Sequence, residues 1–188
     1  MGVKVAITGR PGIGKTTIFG KVVEMLRASG ARVDGFMCPE VRVHGRRIGF
    51  DILDLVTGDR VPLSRLCTLA GGHAIVGRVG RYCVFQDAGS FGCRVLRRAL
   101  GAADIVGVDE VGPMELMVRE LRNCIYEVLE NNNVNALLVV HRRVVRDLTK
   151  RFGRDLKVFW VDESNRNTLP NIIYNILTDM VNAGNQSV

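Results

Sequence analysis

A run near the amino terminus, Gly9 to Thr16, has the residue types and spacing of a phosphate-binding loop, G-x-x-x-x-G-K-T. Its glycines permit backbone angles that side chains forbid, so several N–H groups can surround a phosphate at the start of a helix. Lys15 would place a positive charge on the β- and γ-phosphates, and the Thr16 hydroxyl would ligate a Mg²⁺ ion. Arg10, at the apex, could approach the γ-phosphate or point into water. The motif predicts nucleotide binding by Gly9, Arg10, Pro11, Gly12, Ile13, Gly14, Lys15, Thr16 and Thr17.

An acidic motif later in the chain supplies the second half of such a site. The apolar segment that begins at Ile105 ends in Asp109 and Glu110, the pattern of a Walker B strand. We expect Asp109, with Thr16, to hold the metal, and Glu110 to accept a proton from an attacking water. Glu110 and Lys15 are therefore the predicted catalytic residues, and Glu110 is also a predicted nucleotide contact. The alternative is a pair of solvated acids that follow a core strand.

The elements around these motifs occur in the order that the chemistry needs. Val3 to Ile7 is typical of a buried strand, and the segment from Thr17 to Ser29 has apolar residues at helical spacing. Near-continuous apolar strands that alternate with helices predict an α/β fold, a mainly parallel sheet with helices on both faces and its ligand at the carboxyl ends of the strands. Further strands are predicted at 32–38, 81–87, 103–109, 136–140 and 157–161, and helices at 91–100, from about 114, at 145–151 and at 168–183.

One stretch of the chain differs from this alternation. Residues 41–63 contain three short strand patterns separated by tight turns, which predicts antiparallel hairpins. We therefore predict a single domain over residues 1–183 with a β insertion at about 41–80. Residues 184–188 are predicted to be a disordered tail.

Composition narrows the class of protein. Of 188 residues, 47% are hydrophobic and 24% are charged, which is ordinary for a globular domain. No apolar run is long enough to span a membrane, and the chain starts with a strand pattern, so we expect a cytoplasmic protein. The five cysteines form no C-x-x-C pair, which favours reduced core thiols. The net charge of +7 favours polyanionic partners but does not separate nucleotides from nucleic acid.

Polar residues at other predicted strand ends are secondary candidates. Asn165 and Arg166 follow the last strand and could hold a nucleobase by amide hydrogen bonds and stacking, or could serve only as the approach to a helix. Glu115 could complement a helix dipole or act near the metal, and the first role is favoured. His141 could sense the γ-phosphate, although a lone histidine at a strand end is more often structural.

Four segments together resemble a known family. GKTT at the end of the glycine loop, GFDILDL from Gly49, DEVGPMEL from Asp109 and NRNTLP from Asn165 are similar to the small P-loop nucleoside-triphosphatase family that includes cancer-related nucleoside-triphosphatase. The resemblance spans nearly the whole chain. It implies a RecA-like P-loop NTPase fold with an extra strand between the phosphate-loop strand and the Walker B strand. It also implies Mg²⁺-dependent hydrolysis of ATP, GTP and other nucleoside triphosphates with loose base selectivity.

Two other functions remain open at this point. A nucleoside or nucleotide kinase would use residues 41–87 to bind an acceptor, but the Asp109-Glu110 pair favours activated water, which a kinase must exclude. A nucleic-acid-associated ATPase would account for the positive charge. We rank it lower because the Lys and Arg residues are scattered, without a basic run interleaved with aromatic residues.

Overall fold

The computed structural model describes residues 2–153 and 156–185. The strands are β1 (Lys4–Gly9), β2 (Val33–Met37), β3 (Glu40–Val43), β4 (Arg46–Asp54), β5 (Arg60–Leu66), β6 (Ile75–Val79), β7 (Tyr82–Phe85), β8 (Ile105–Val111), β9 (Asn135–Val140) and β10 (Leu156–Val161). The helices are α1 (Lys15–Ala28), α2 (Ala88–Ala102), α3 (Pro113–Met117), α4 (Arg119–Glu130), α5 (Val145–Phe152) and α6 (Leu169–Asn185), with a 3₁₀ turn at Cys67–Leu69.

The parallel half of the sheet carries both chemical motifs. Its strands lie in the order β10-β1-β9-β8-β2, so β9 separates the phosphate-loop strand β1 from the Walker B strand β8. This confirms the extra strand that the family resemblance implies. Ile7 of β1 and Asp109 of β8 both align with Val139 of β9, so the two motifs reach the same edge of the sheet.

Helices cover both faces of the parallel strands, as predicted. The apolar positions of α1 and α6 pack on one face with Val5 and Ile7, while α2, α4 and α5 pack on the other face with Ala6. Burial of each large apolar side chain contributes about 1.5–3 kcal/mol. The helix predicted from about residue 114 is instead two helices, α3 and α4, because the chain is extended at Val118.

The antiparallel part is larger than the predicted insertion. From β2 the sheet continues as β4, β5, β7 and β6, all antiparallel to their neighbours, and β3 pairs with β4. The strand predicted at 81–87 as a return to the core is buried, but it belongs to this antiparallel part. A buried strand looks alike in either setting, because the apolar pattern does not reveal the direction of its partner.

The structure corrects two further expectations, which concern the cysteines and the carboxyl-terminal tail. Cys67 is bonded to Cys83 and Cys93 to Cys124, so the prediction of reduced thiols is wrong for these four, while Cys38 is free. The partners lie 16 and 31 residues apart in the chain, and only the fold brings them together. Helix α6 continues to Asn185, past the predicted start of a tail, and the predicted tail residues 186–188 lie outside the described part. Among the described residues, no helix has the length and apolar character to span a bilayer.

Candidate active site

The glycine loop joins β1 to α1 at the carboxyl edge of the sheet. Gly12 and Gly14 have φ angles of +76° and +107°, a region that favours glycine, and Gly14 immediately precedes the first turn of α1. No side chain caps this end of α1, and its first turn contains no acid. Its amide donors are therefore available for an anion. The Nζ of Lys15 lies over the loop and donates to the carbonyls of Gly9 and Arg10 at 3.4 and 3.2 Å.

The other predicted loop residues divide by exposure. Ile13 is buried and its N–H donates to the Arg10 carbonyl at 3.3 Å, which closes the loop. Arg10, Pro11, Thr16 and Thr17 are exposed. Ile13 therefore anchors the loop to the core, and the exposed residues face solvent.

The two predicted metal ligands, Thr16 and Asp109, lie together. The Thr16 hydroxyl lies close enough to the Asp109 carboxylate to stabilise its charge, and Asp109 is only 5% exposed. Burial raises the pKa of Asp109 to about 6, while the Thr16 hydroxyl and the charge of Lys15 oppose that rise. Hydroxyl and carboxylate oxygens are the donors that Mg²⁺ prefers, so the residues fit this ion. Within the described ranges no group of three His, Cys, Asp or Glu residues could hold a metal, and substrate phosphates would have to complete the coordination.

Glu110 differs from its neighbour in backbone and environment. The register between β8 and β9 shifts between Asp109 and Val111, so Glu110 lies at a bulge where the pairing with β9 is interrupted. Its Oε1 is buried and has no hydrogen-bond partner in the described part of the chain. Burial raises the pKa of Glu110 to about 7, with a smaller opposing effect of Lys15 and a reinforcing one of Asp109. A carboxylate of this kind can accept a proton near neutral pH.

Glu115 is more deeply placed than a helix-dipole role requires. It lies in the first turn of α3, as expected, but it is only 5% exposed and its Oε2 accepts the N–H of Gly112 at 2.9 Å. The thiol of Cys38 lies near this carboxyl. Burial is the main cause that raises the pKa of Glu115 to about 8, and the nearby Glu110 adds to it. The sequence signalled an acid here but not its burial.

His141 ends β9, between the two motif strands. Its N–H donates to the Val111 carbonyl at 3.0 Å, and its Nδ1 accepts the N–H of Arg143 at 3.2 Å. Burial lowers the pKa of the imidazole, and the charge of Lys15 lowers it further. The ring is therefore neutral at pH 7, with its proton on Nε2.

The segment after β10 lies beside the glycine loop. Gly9 aligns with Val161, and Arg10 forms an exposed ion pair with Glu163 at 3.4 Å. Asn165 uses both ends of its amide within this segment: Oδ1 accepts the Asp162 N–H and Nδ2 donates to a backbone carbonyl. These contacts favour the alternative in which Asn165 shapes the approach to α6. The exposed side chain of Arg166 has no hydrogen bond or ion pair with described residues.

One polar cluster, in which a partly exposed arginine meets two buried acids, lies outside the predicted site and was missed by sequence reasoning. Arg98 of α2 donates to both oxygens of Asp34 and to both oxygens of Asp54, at 2.6–2.8 Å. Asp51 pairs instead with Arg65 at 2.6 Å. No local signal could reveal the cluster, because its members lie 44 and 64 residues apart in the chain.

Comparison with known proteins gives consistent results. A family model described as NTPase matches residues 4–174. The chain is 44% identical to nucleoside-triphosphatase THEP1 of Methanopyrus kandleri over 169 residues, which cover 88% of this chain and 89% of that protein. A solved structure titled as a human cancer-related nucleoside triphosphatase superposes with a TM-score of 0.74 at 35% identity and covers 93% of this chain and 97% of that one. The crystal structure of THEP1 from Aquifex aeolicus superposes with a TM-score of 0.75 at 28% identity and covers 93% and 98%.

Proposed function

Because the chain belongs to the NTPase family and hydrolyses nucleoside triphosphates, we propose that it does so with Mg²⁺ and with Glu110 as the residue that activates water. We propose also that its substrates include ATP, GTP and other nucleoside triphosphates. The observation that carries the proposal is the buried, unpartnered Oε1 of Glu110, next in the chain to Asp109, whose carboxylate lies near the Thr16 hydroxyl. A carboxylate without a fixed partner is free to bind and deprotonate a water.

In the proposed reaction, the chain holds the triphosphate and moves one proton. The amides of the glycine loop and the Nζ of Lys15 bind the β- and γ-phosphates and stabilise the charge that develops there. The oxygen of a water attacks the γ-phosphorus while its proton passes to Glu110. The bond between the γ-phosphorus and the β-γ bridging oxygen breaks, and diphosphate leaves with the electron pair.

Thr16 and Asp109 are the residues that would hold Mg²⁺. When bound, the ion would neutralise phosphate charge in the transition state. The two side chains lie near each other, and the burial of Asp109 favours a cation nearby.

Loose base selectivity is part of the same proposal. Asn165 is occupied by its own segment, which leaves the exposed guanidinium of Arg166 as the candidate contact for the base. A guanidinium stacks on any nucleobase, since every base has a π-face. We assign the protein to the cytoplasm as part of this proposal, because its expected substrates are nucleoside triphosphates.

The test is phosphate release measured with and without Mg²⁺ across the nucleoside triphosphates, with acceptor nucleosides and nucleic acid added in turn. We expect release of inorganic phosphate from each nucleotide only with Mg²⁺, and no phosphate on an acceptor. Phosphate that appears on an acceptor would instead indicate a kinase. A many-fold increase in turnover with RNA or DNA that vanishes at high salt would support the nucleic-acid-associated ATPase.

A further inference from the structure

We propose that Glu115 is a positioning residue for hydrolysis: by holding the Gly112 amide it fixes the turn between β8 and α3 that places the Glu110 carboxylate against the attacking water. The inference rests on the proposed role of Glu110 as the base. It adds a residue that touches neither phosphate nor metal ligand in the arrangement described above.

The first support is the geometry of the turn. Glu115 Oε2 accepts the Gly112 N–H at 2.9 Å, two residues after Glu110. A Cβ placed on Gly112 would lie 2.9 Å from this same oxygen, 3.4 Å from the Cβ of His141 and 3.8 Å from the Cδ of Glu110. The glycine therefore lies between the two carboxyl groups, and a movement of one is transmitted to the other through a closely packed turn.

The second support is the way in which Glu115 is held. Its carboxyl accepts the Gly112 N–H and lies near the thiol of Cys38, and the backbone N–H of Cys38 in turn donates to the Asp109 carbonyl. The residue is 5% exposed, so its carboxyl is almost completely shielded from water.

The third support is the contrast with Glu110. Glu115 accepts the Gly112 N–H, whereas the Oε1 of Glu110 has no donor among the described residues. A side chain with fixed donors is ordered by the fold, and one without them depends on its backbone for orientation. Displacement of reacting groups by about 1 Å can cost about 10²-fold in rate.

The experiment separates positioning from stability by a conservative pair of variants. Glu115→Gln keeps an oxygen that accepts the Gly112 N–H, while Glu115→Ala removes it. We expect Glu115→Ala to lower kcat by about 10- to 100-fold with KM for nucleotide unchanged, because the glycine loop is untouched. Glu115→Gln should keep kcat within about threefold of wild type.

A third variant moves the carboxyl without removing it. Gly112→Ala forces Glu115 Oε2 away from its position and should lower kcat as Glu115→Ala does, with KM again unchanged. Gly101→Ala is the matched control, since a Cβ at Gly101 meets nothing within 4 Å. If Glu115→Ala does not fold, Gly112→Ala and Glu115→Gln decide the question.

Three results would overturn the inference: wild-type kcat in Glu115→Ala, wild-type kcat in Gly112→Ala, or an equal loss in Glu115→Gln and Glu115→Ala. The Glu110→Gln variant, measured in parallel, separates this inference from the proposed function. Full activity of Glu110→Gln would remove the base assignment itself. Inactive Glu110→Gln beside fully active Glu115→Ala would remove only the positioning role.

Discussion

Two groups of acids lie near opposite ends of the strands of one sheet, and the protein compensates their charges in different ways. Asp34 and Asp54, near the amino end of β2, share the guanidinium of Arg98 through short hydrogen bonds to all four carboxylate oxygens. At the carboxyl end, Asp109 and Glu110 have Lys15 as a nearby cation but no ion pair within 4.0 Å among the described residues.

The pKa values show what this difference does. The hydrogen bonds of Arg98 hold the pKa of Asp54 well below its usual range, whereas burial raises the pKa of Asp109 to about 6 and of Glu110 to about 7. Asp34 and Asp54 are fully engaged by Arg98 and stabilise the fold. The negative charge of the second group is poorly compensated within the chain, so binding of a cation or of a proton from water is favourable there.

The largest expected effect is on the site of Asp109 and Glu110, where Lys15 is the nearby cation. Lys15→Ala should abolish phosphate release, a loss of about 10³-fold or more, because the loop then lacks its charge on the transferred phosphate. Phosphate release at saturating nucleotide measures it, and Lys21→Ala, an exposed lysine of α1, is the control. Turnover near the wild-type value would show that these acids do not act on a bound phosphate.

Glu110→Gln should keep Mg²⁺-nucleotide binding while turnover falls by about 10²- to 10⁴-fold, because an amide cannot accept the proton of water. Nucleotide titration and single-turnover phosphate release separate binding from chemistry. Glu24→Gln, on the exposed side of α1, should change neither. Wild-type turnover in Glu110→Gln would remove the distinction between a catalytic group and a structural one.

Arg98→Ala should act on stability and leave the chemistry intact. It leaves two buried carboxylates without their cation, and we expect the free energy of unfolding to fall by about 2–4 kcal/mol. This value is below that of a fully buried pair, since the Arg98 side chain is 38% exposed. Urea unfolding measures the loss, with the adjacent and more exposed Arg97→Ala as control. A large drop in kcat well below the melting temperature would contradict the contrast.

The smallest expected effect is a pH dependence of stability that has opposite signs for Glu115, which is buried behind Glu110, and for Asp54. The pKa of Glu115 is raised to about 8 in the folded state, so wild-type stability falls as pH rises from about 4, its unfolded value, toward 8. Glu115→Gln should remove this fall and raise the melting temperature near pH 8 by a few degrees, about 1 kcal/mol. The difference should vanish near pH 4.

Asp54 supplies the opposite case for the same measurement. Its pKa is lowered by Arg98, so its contribution is present above the unfolded value of about 4 and is lost as pH falls through the folded value. Asp54→Asn should therefore be less stable than wild type at pH 7, and the gap should narrow at about pH 3. A gap for Asp54→Asn that widens in acid would show that Arg98 does not hold this charge.

Much of the fold was predictable because its signals are local. The helical spacing of Ile18, Val22 and Leu26 predicts α1, and all three are buried. Short strand patterns separated by tight turns likewise predicted the hairpins of β3, β4 and β5. The direction of β7 was not predictable, because its apolar run fits a parallel or an antiparallel neighbour equally well.

By itself, the sequence determined the glycine loop, the Asp109-Glu110 pair and the order of elements that brings both to one sheet edge. Those features depend on residue types at short, fixed spacings, and such spacings determine local structure directly because backbone geometry is regular. Only the tertiary structure decided which acids meet an arginine, which cysteines bond and that Glu115 is buried behind Glu110. Contacts of this kind, and the dielectric environment that sets each pKa, depend on distances in space, which separation along the chain does not specify.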